Sequence, residues 1–247
     1  MNTQASAIIL AGGRGTRISH LRPGLPKPMI PVGGRPFLEW VIRHFASQGV
    51  GQFVISLGHL AEVAESYFGE RPADELSIKT VREPEPLGTG GGMLFAQQAV
   101  PDADPLILAN GDSLVLAPLA GAWQLLDDPT VDGVVLGLDV EDAARYGGLE
   151  VDSSGRLLRF REKQPGRGLI NAGVYFFRRR LLASFPDKRP LSMELDVFPE
   201  LLGNGAKLMT HRCCAPFLDI GTPESLAEAE PFLARHWPRP NASVAIE

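Results

Sequence analysis

The sequence predicts an α/β fold: one Rossmann-like domain with a mixed, mostly parallel central sheet and helices on both faces. Short apolar runs alternate with helix-like patterns through the first half of the chain. The connections between them are short, as in doubly wound sheets. The composition, 44% hydrophobic and 21% charged over 247 residues, is typical of a globular protein with a substantial core.

The first half alternates between strand and helix. Residues 7–11 form an apolar run bounded by glycine, which predicts a buried strand. Phe37, Val41 and Phe45 recur every four residues and predict a helix over 36–48. By the same criteria we expect strands at 52–57, 76–81 and 105–109, and helices at 60–68 and 90–100.

The second half contains more strand signals. Residues 148–152 and 156–161 flank a Ser-Ser-Gly turn, which predicts a hairpin. Thr222 followed by Pro223 predicts a helix start, because a hydroxyl caps the first turn and proline is tolerated there. We also expect strands at 134–140 and 171–177, helices at 179–185 and 194–202, and a loose C-terminal tail.

Composition excludes several classes of protein. The net charge of −5 gives no basic surface for nucleic acid. Cys213 and Cys214 are adjacent, a spacing that favours free thiols in a reducing compartment over a disulfide or a metal site. The sequence has neither a leader-like N-terminus nor an apolar run of membrane-spanning length, so we expect a cytoplasmic protein with no membrane partner.

A glycine-rich turn follows the first predicted strand. Gly12, Gly13 and Gly15 leave backbone N–H groups free of side chains, so the main chain can approach an anion closely. Arg17 and Lys27 add positive charge to the same segment. This combination is suited to a triphosphate; the alternative is an ordinary glycine turn with two solvated cations.

Two other nucleotide-binding motifs are absent. A dinucleotide fingerprint requires glycine at position 18, where the chain has Ile18, and no phosphate loop ending in Gly-Lys-Ser/Thr is present. A dinucleotide oxidoreductase would also carry an acidic residue after the second strand, where Gly58 and His59 stand. These observations disfavour an oxidoreductase.

Two aspartates follow apolar runs at the predicted ligand edge of the sheet. Asp112 ends an Ala-Asn-Gly-Asp run, and Asp219 ends Pro-Phe-Leu-Asp. Mg²⁺ favours one or two carboxylates together with water and phosphate oxygens, so the pair could hold it on a triphosphate. The alternative for each is a turn or cap residue.

The segments at 10–17 (LAGGRGTR) and 25–32 (LPKPMIPV) resemble the signature of the sugar-nucleotide pyrophosphorylases, the nucleoside-triphosphate:sugar-1-phosphate nucleotidyltransferases. The resemblance extends over about residues 5–230 and implies a GT-A-like fold. It implies a domain at 1–235, with a nucleotide-binding part at about 1–115 and a sugar-phosphate part at about 116–235, before a tail at 236–247. It leaves a homodimer open, and the chain ends before the β-helix domain expected of larger relatives.

The resemblance assigns the nucleotide site. The run 82–90 (REPEPLGTG) is similar to the family's base-recognition loop, in which Glu83 would contact the base. A carboxylate can accept two hydrogen bonds from guanine or one from uracil or thymine, so GTP is favoured; a solvated loop acid is the alternative. The implied nucleotide-binding residues are Leu10, Ala11, Gly12, Gly13, Gly15, Thr16, Arg17, Lys27, Glu83, Pro86, Gly88, Thr89 and Gly111.

The resemblance also assigns a sugar-phosphate pocket and the catalytic groups. Arg17, Lys27 and Asp112 are implied as catalytic, and Asp112 with Asp219 as the Mg²⁺ ligands. Without the resemblance, Glu162 and Lys163 would be only a charged strand end. The implied sugar-phosphate residues are Tyr146, Gly147, Glu162, Lys163, Asn171 and Gly173.

The implied activity transfers a nucleoside monophosphate from an NTP to a sugar 1-phosphate and releases pyrophosphate. The run 217–223 (FLDIGTP) looks most like the D-glycero-α-D-manno-heptose 1-phosphate guanylyltransferases. The alternatives are mannose 1-phosphate guanylyltransferase, N-acetylmuramate 1-phosphate uridylyltransferase and a catalytically silent nucleotide-sugar sensor. Gly88 stands where the uridylyltransferase should have glutamate, and a sensor should have lost Arg17, Lys27 or an aspartate.

Overall fold

The computed structural model describes residues 5–13, 15–69, 76–100 and 102–237. Its strands are β1 (Ala5–Ala11), β2 (Pro31–Val32), β3 (Arg35–Pro36), β4 (Val50–Leu57), β5 (Ser77–Arg82), β6 (Leu106–Asn110), β7 (Ser113–Val115), β8 (Gly133–Val140), β9 (Gly148–Val151), β10 (Leu157–Arg161), β11 (Gly168–Phe177), β12 (Leu208–Cys213) and β13 (Phe217–Asp219).

The α-helices are α1 (Phe37–Ser47), α2 (Ala61–Gly69), α3 (Gly88–Ala96), α4 (Ala120–Leu126), α5 (Phe198–Gly203), α6 (Pro223–Ala227) and α7 (Ala229–His236). Short 3₁₀ turns lie at Ser19–Leu21, Lys27–Met29, Gln97–Ala99 and Arg179–Ser184, and a π-helical turn at Met193–Val197.

The central sheet is mixed, as predicted. Strands β5, β4, β1 and β6 are parallel neighbours, with β1 in the middle. Beyond β6 the sheet continues with β11, which is antiparallel to β6. Strand β8 then pairs antiparallel with β11, and β12 pairs parallel with β8. Strands β9 and β10 form the predicted hairpin and join the sheet at β11.

Helices cover both faces of the sheet, and β1 shows why. Ala7 and Ile9 are buried against one face and Ile8 against the other, because successive side chains of a strand point in opposite directions. Helices α1, α2, α4 and α7 contribute buried residues to the first core, and α3 and α5 contribute to the second. The predicted fold class is confirmed.

Two predicted helices differ from the structure, and proline explains both. The expected helix at 194–202 is a π turn followed by α5, because Pro199 has no N–H to donate and is accommodated only in the first turn of a new helix. The expected helix at 179–185 is a 3₁₀ turn ending at Ser184, since Pro186 disfavours helical backbone at the residue before it.

The first two residues of the expected tail at 236–247 belong to the folded domain. His236 ends α7, and the Trp237 ring packs edge-on against Trp40 with centroids 5.2 Å apart. The rest of the predicted tail, from residue 238 on, lies outside the described residues. Within the described ranges, no helix combines the length and the apolar character that crossing a membrane would require.

Candidate active site

A cleft of about 870 Å³ lies at the edge of the sheet where the parallel strands end. The register that pairs Leu10 with both Ser56 and Asn110 brings the loops after β1, β4 and β6 to this one edge. The predicted site residues that line the cleft are Leu10, Ala11, Gly12, Gly13, Gly15, Thr16, Arg17, Lys27, Glu83, Pro86, Gly88, Thr89, Asp112, Tyr146, Gly147, Lys163, Asn171, Gly173 and Asp219.

Two predicted site residues are not among the described residues that line the cleft. Glu162 is exposed just beyond the end of β10. Gly111 instead shapes the turn that carries Asp112: its N–H donates to the Leu10 carbonyl at 2.8 Å. A side chain at Gly111 would meet that carbonyl oxygen at 2.9 Å, so the position requires glycine.

The glycine-rich turn after β1 packs against the end of β4. The His59 N–H donates to the Gly12 carbonyl at 3.4 Å. A Cβ added to Gly58 would lie 2.6 Å from that carbonyl oxygen, and one added to Gly12 would lie 2.9 Å from Glu83 Oε1. Both distances are shorter than those that real Cβ atoms show. Glycine at 58 therefore lets the end of β4 approach the Gly12 backbone, and glycine at 12 lets the Glu83 carboxylate approach the turn.

Lys27 is bound between the two aspartates predicted to hold the metal. Its Nζ lies 2.7 Å from Asp112 Oδ2 and 3.4 Å from Asp219 Oδ1. The Lys27 side chain is only 11% exposed, whereas that of Asp112 is 36% exposed toward the cleft. The two carboxylates and the ammonium therefore form one charged cluster with an open side.

A small strand ladder brings these aspartates together. Strands β7 and β13 pair antiparallel, with Asp219 opposite Ser113. The Ile220 N–H donates to the Asp112 carbonyl at 3.1 Å. Thus the residues on either side of each carboxylate are fixed by backbone hydrogen bonds. A Cβ on Gly221 would lie 2.9 Å from both Asp219 carboxylate oxygens, so glycine leaves room for them.

This donor set fits Mg²⁺. The carboxylates of Asp112 and Asp219 are partly exposed, and both are directed at the Lys27 ammonium. Mg²⁺ prefers few protein ligands, with water and phosphate oxygens completing its octahedral coordination, and this pair matches that preference. The described residues include no group of three or more His, Cys, Asp or Glu side chains that could hold a metal ion.

Glu83 is a partly buried acid at the predicted nucleotide side of the cleft, unlike the solvated loop acid considered as its alternative. The Ser56 hydroxyl, which is fully buried, donates to Glu83 Oε1 at 2.8 Å. The Leu87 N–H donates to Oε2 at 3.2 Å. These two bonds fix the carboxylate and close the loop at 84–87 over it.

The start of α3 rests on the segment that leads to the π turn. Gly88 has φ +78°, and a Cβ there would lie 2.4 Å from the Leu191 carbonyl oxygen. That carbonyl accepts from the Gly90 N–H at 2.8 Å, and Met193 N–H donates to the Thr89 hydroxyl oxygen at 2.8 Å. The predicted base loop is thus fastened to the second half of the chain.

Asn171 is the centre of a hydrogen-bond network on the predicted sugar side of the cleft. Its backbone N–H donates to the Gly147 carbonyl at 2.9 Å, and its side-chain oxygen accepts from the Gly173 N–H at 3.0 Å. Its amide nitrogen donates to Tyr175 Oη at 2.7 Å and to Glu194 Oε1 at 3.0 Å. Every polar group of this nearly buried side chain is therefore used.

Two tyrosines near the sugar side keep their protons. Burial raises the pKa of the Tyr146 phenol above its ordinary value; the Arg145 guanidinium opposes this shift and the Asp219 carboxylate adds to it. Burial likewise raises the pKa of Tyr175, against the effect of its hydrogen bond with Asn171. Both phenols are therefore neutral hydrogen-bonding groups near neutral pH.

Several residues that line the cleft were not predicted. Arg145 lies 3.4 Å from Asp219 Oδ2 and 5.6 Å from the centre of the Tyr146 ring. Glu194 reaches the cleft from the π turn, and His59 from the end of β4. Arg145 could have been found from its position before the Tyr-Gly pair, whereas a predicted ordinary helix gave no reason to place Glu194 in the site.

Comparison with known proteins gives a consistent result. Residues 6–236 match the family described as nucleotidyl transferase. The chain is 35% identical to mannose-1-phosphate guanylyltransferase of Mycobacterium tuberculosis over 94% of its own length, and it spans 65% of that protein. It is 32% identical to D-glycero-alpha-D-manno-heptose 1-phosphate guanylyltransferase of Aneurinibacillus thermoaerophilus, covering 93% of this chain and 99% of the relative.

The fold is shared with a solved structure of similar size. The crystal structure of HddC from Yersinia pseudotuberculosis complexed with GMP-PN matches with a TM-score of 0.82 and 30% identity. The match covers 92% of this chain and 99% of that one.

We predict that Gly58→Ala disrupts the glycine-rich turn. The added methyl group would collide with the Gly12 carbonyl, so we expect a loss of about 1–3 kcal/mol in the free energy of unfolding and weaker nucleotide binding. Urea denaturation and nucleotide titration measure the two effects. Gly203→Ala is the matched control, since a Cβ there meets nothing within 4 Å. Equal stability of the two variants would contradict the predicted close approach.

Proposed function

Because the chain belongs to the nucleotidyl transferase family, we propose that it transfers a nucleoside monophosphate from an NTP to a sugar 1-phosphate, releasing pyrophosphate. The observation that carries this proposal is the cluster of Lys27 with Asp112 and Asp219, at 2.7 and 3.4 Å. This cluster lies in one cleft with the glycine-rich turn and with the predicted sugar-phosphate residues Gly147, Asn171 and Gly173. Such a cleft can hold two phosphorylated substrates side by side.

GTP is the proposed nucleotide. Three relatives of at least 32% identity, at 35%, 32% and 32%, are named guanylyltransferases, and the HddC structure was determined in complex with GMP-PN. The fixed Glu83 carboxylate supports the same choice. Each oxygen accepts one bond from the protein and retains capacity for another, so the pair can accept both N–H donors on the Watson–Crick edge of guanine.

The proposed acceptor is D-glycero-α-D-manno-heptose 1-phosphate. Relatives with this name are matched over 99% and 95% of their length. Mannose 1-phosphate is the second candidate, favoured by the 35% identity to the mycobacterial protein. Both names specify a manno-configured ring, so the two candidates present the same ring hydroxyls and differ at the exocyclic carbons.

The sugar phosphate needs no protein base to attack. The second pKa of a phosphate monoester is about 6, so near neutral pH its dianion is already a nucleophile. One of its oxygens forms a bond to the α-phosphorus as the bond from that phosphorus to the bridging oxygen breaks. The electron pair leaves with pyrophosphate, so positioning and neutralisation of charge account for catalysis.

Each cationic side chain of the cleft has its own role in this reaction. Arg17 holds the departing pyrophosphate, Lys27 the α-phosphoryl group, and Lys163 the incoming phosphate. Asp112 and Asp219 would hold Mg²⁺, which offsets the repulsion between the two polyanions. In the structure the Lys27 ammonium lies between the two carboxylates, so on substrate binding it would exchange these contacts for the α-phosphate.

The proposal extends to organisation and location. Residues 1–235 act as one domain, with nucleotide bound mainly by residues 1–115 and sugar phosphate mainly by 116–235. Asp219 joins the nucleotide part through the β7–β13 ladder. The place of action is the cytoplasm, which supplies nucleoside triphosphates. A homodimer stays a prediction, for which sedimentation equilibrium is the test.

The activity is tested by pyrophosphate release with Mg²⁺, combining GTP, UTP, dTTP, CTP and ATP with the 1-phosphates of heptose, mannose, glucose and N-acetylmuramate. We expect turnover with GTP and a manno-configured sugar, highest for the heptose. Turnover restricted to UTP would contradict the guanine assignment. Tight nucleotide binding without turnover for any pair would identify a sensor.

We predict that Glu83→Gln lowers kcat/KM for GTP by a factor equivalent to about 1–3 kcal/mol of transition-state stabilisation. The glutamine amide nitrogen replaces a carboxylate oxygen and cannot accept a hydrogen bond, either from guanine or from the Leu87 N–H. Steady-state kinetics with GTP measure the loss. Glu85→Gln is the control, because it removes the same charge from the same loop and Glu85 accepts no hydrogen bond from any described residue. Equal kinetics for the two variants would mean that Glu83 does not contact the base.

A further inference from the structure

The sugar side of the cleft contains one acid that the sequence did not assign. Glu194 lines the cleft from the π turn Met193–Val197, whereas Glu162, the acid expected there, is not among the lining residues described. A Cβ on Gly147 would lie 4.0 Å from Glu194 Oε1. The Glu194 carboxylate thus borders the pocket formed by Gly147 and Asn171.

Asn171 aims this carboxylate. Its amide nitrogen donates to Glu194 Oε1 at 3.0 Å, and the orientation of the amide is fixed by the Gly173 N–H and by Tyr175 Oη. Glu194 Oε2 accepts no hydrogen bond from any residue in the described ranges. One oxygen is therefore held by the protein, and the other is free to accept from a ligand.

The backbone beneath Glu194 is fixed as well. Met193 N–H donates to the Thr89 hydroxyl oxygen, and Leu191 N–H donates to the Leu87 carbonyl at 2.8 Å. The Ser192 hydroxyl accepts from the Leu195 N–H at 3.2 Å and caps the turn. The acid is therefore positioned by the same segment that forms the base loop.

We infer that Glu194 is a specificity-determining residue that accepts hydrogen bonds from ring hydroxyls of the sugar 1-phosphate. This inference rests on the proposed function. An ionised carboxylate only accepts, and a hydroxyl is the donor that a sugar offers. The negative charge of Glu194 repels the phosphate, so the sugar binds with its phosphate toward the cleft cations and its hydroxyls toward Glu194.

The test is the kinetics of Glu194→Gln with mannose 1-phosphate and its 2-, 3- and 4-deoxy analogues at saturating GTP. We expect the variant to lower kcat/KM for the sugar phosphate about 10- to 100-fold through KM, which is the range for a hydrogen bond to a charged group. The KM for GTP should stay within about twofold of the wild type. That split also separates lost sugar recognition from misfolding.

The deoxy analogues give the sharper comparison. We expect the wild type to reject the analogue that lacks the hydroxyl bound by Glu194, and the variant to lose that discrimination. Glu200→Gln, on α5 with its carboxylate bonded to Asn204, is the charge-matched control and should behave as wild type. We expect Glu162→Gln to have a smaller effect on KM than Glu194→Gln.

The outcomes separate the two proposals. If the wild type shows no activity with any pair of nucleotide and sugar phosphate, both the proposed function and this inference are contradicted. If the wild type is active but Glu194→Gln keeps the wild-type KM and the wild-type rejection of deoxy sugars, the inference alone is overturned. Should Glu194→Gln fail to fold, Glu194→Asp is measured by the same criteria.

Discussion

The ion cluster in which Asp112 and Asp219 share the Lys27 ammonium is the interaction on which the site depends. Three charges from distant parts of the chain meet at distances of 2.7 and 3.4 Å. Without Lys27 the carboxylates would repel each other in a partly buried place, and without them the ammonium would be desolvated without compensation. A site of this composition can exchange its internal partners for phosphate and a metal, because both signs of charge are already present.

The rest of the fold holds this cluster in place. The parallel strands deliver the glycine-rich turn and Asp112 to one edge, and the β7–β13 ladder returns Asp219 to the same point. Glycines at 12, 58 and 221 allow backbone and carboxylates to approach more closely than side chains would permit. The predicted base loop is joined by hydrogen bonds to the π turn and to the segment that precedes it, so the predicted nucleotide and sugar sides form one frame rather than two separate pockets.

The sequence predicted the sheet and most cleft residues because long apolar runs and glycine turns leave strong local signals. It missed β7, since a three-residue strand shows no periodicity and exists through its pairing with β13. Glu162 was the acid expected on the sugar side, whereas Glu194 is the acid that lines the cleft beside Asn171 among the described residues. The position of Glu194 is set by the π turn, which forms because Pro199 interrupts the regular helix that the sequence predicted.

The most direct test of this account is Mn²⁺ binding, measured by electron paramagnetic resonance with GTP present, for the wild type, Asp112→Asn and Asp219→Asn. Asp139→Asn, which removes an acid paired with Arg212, is the control. If the two aspartates form one site, each single variant should lose most of the nucleotide-dependent Mn²⁺ binding, by a similar factor, while the control retains it. Wild-type Mn²⁺ affinity in either Asp112→Asn or Asp219→Asn would contradict the central claim.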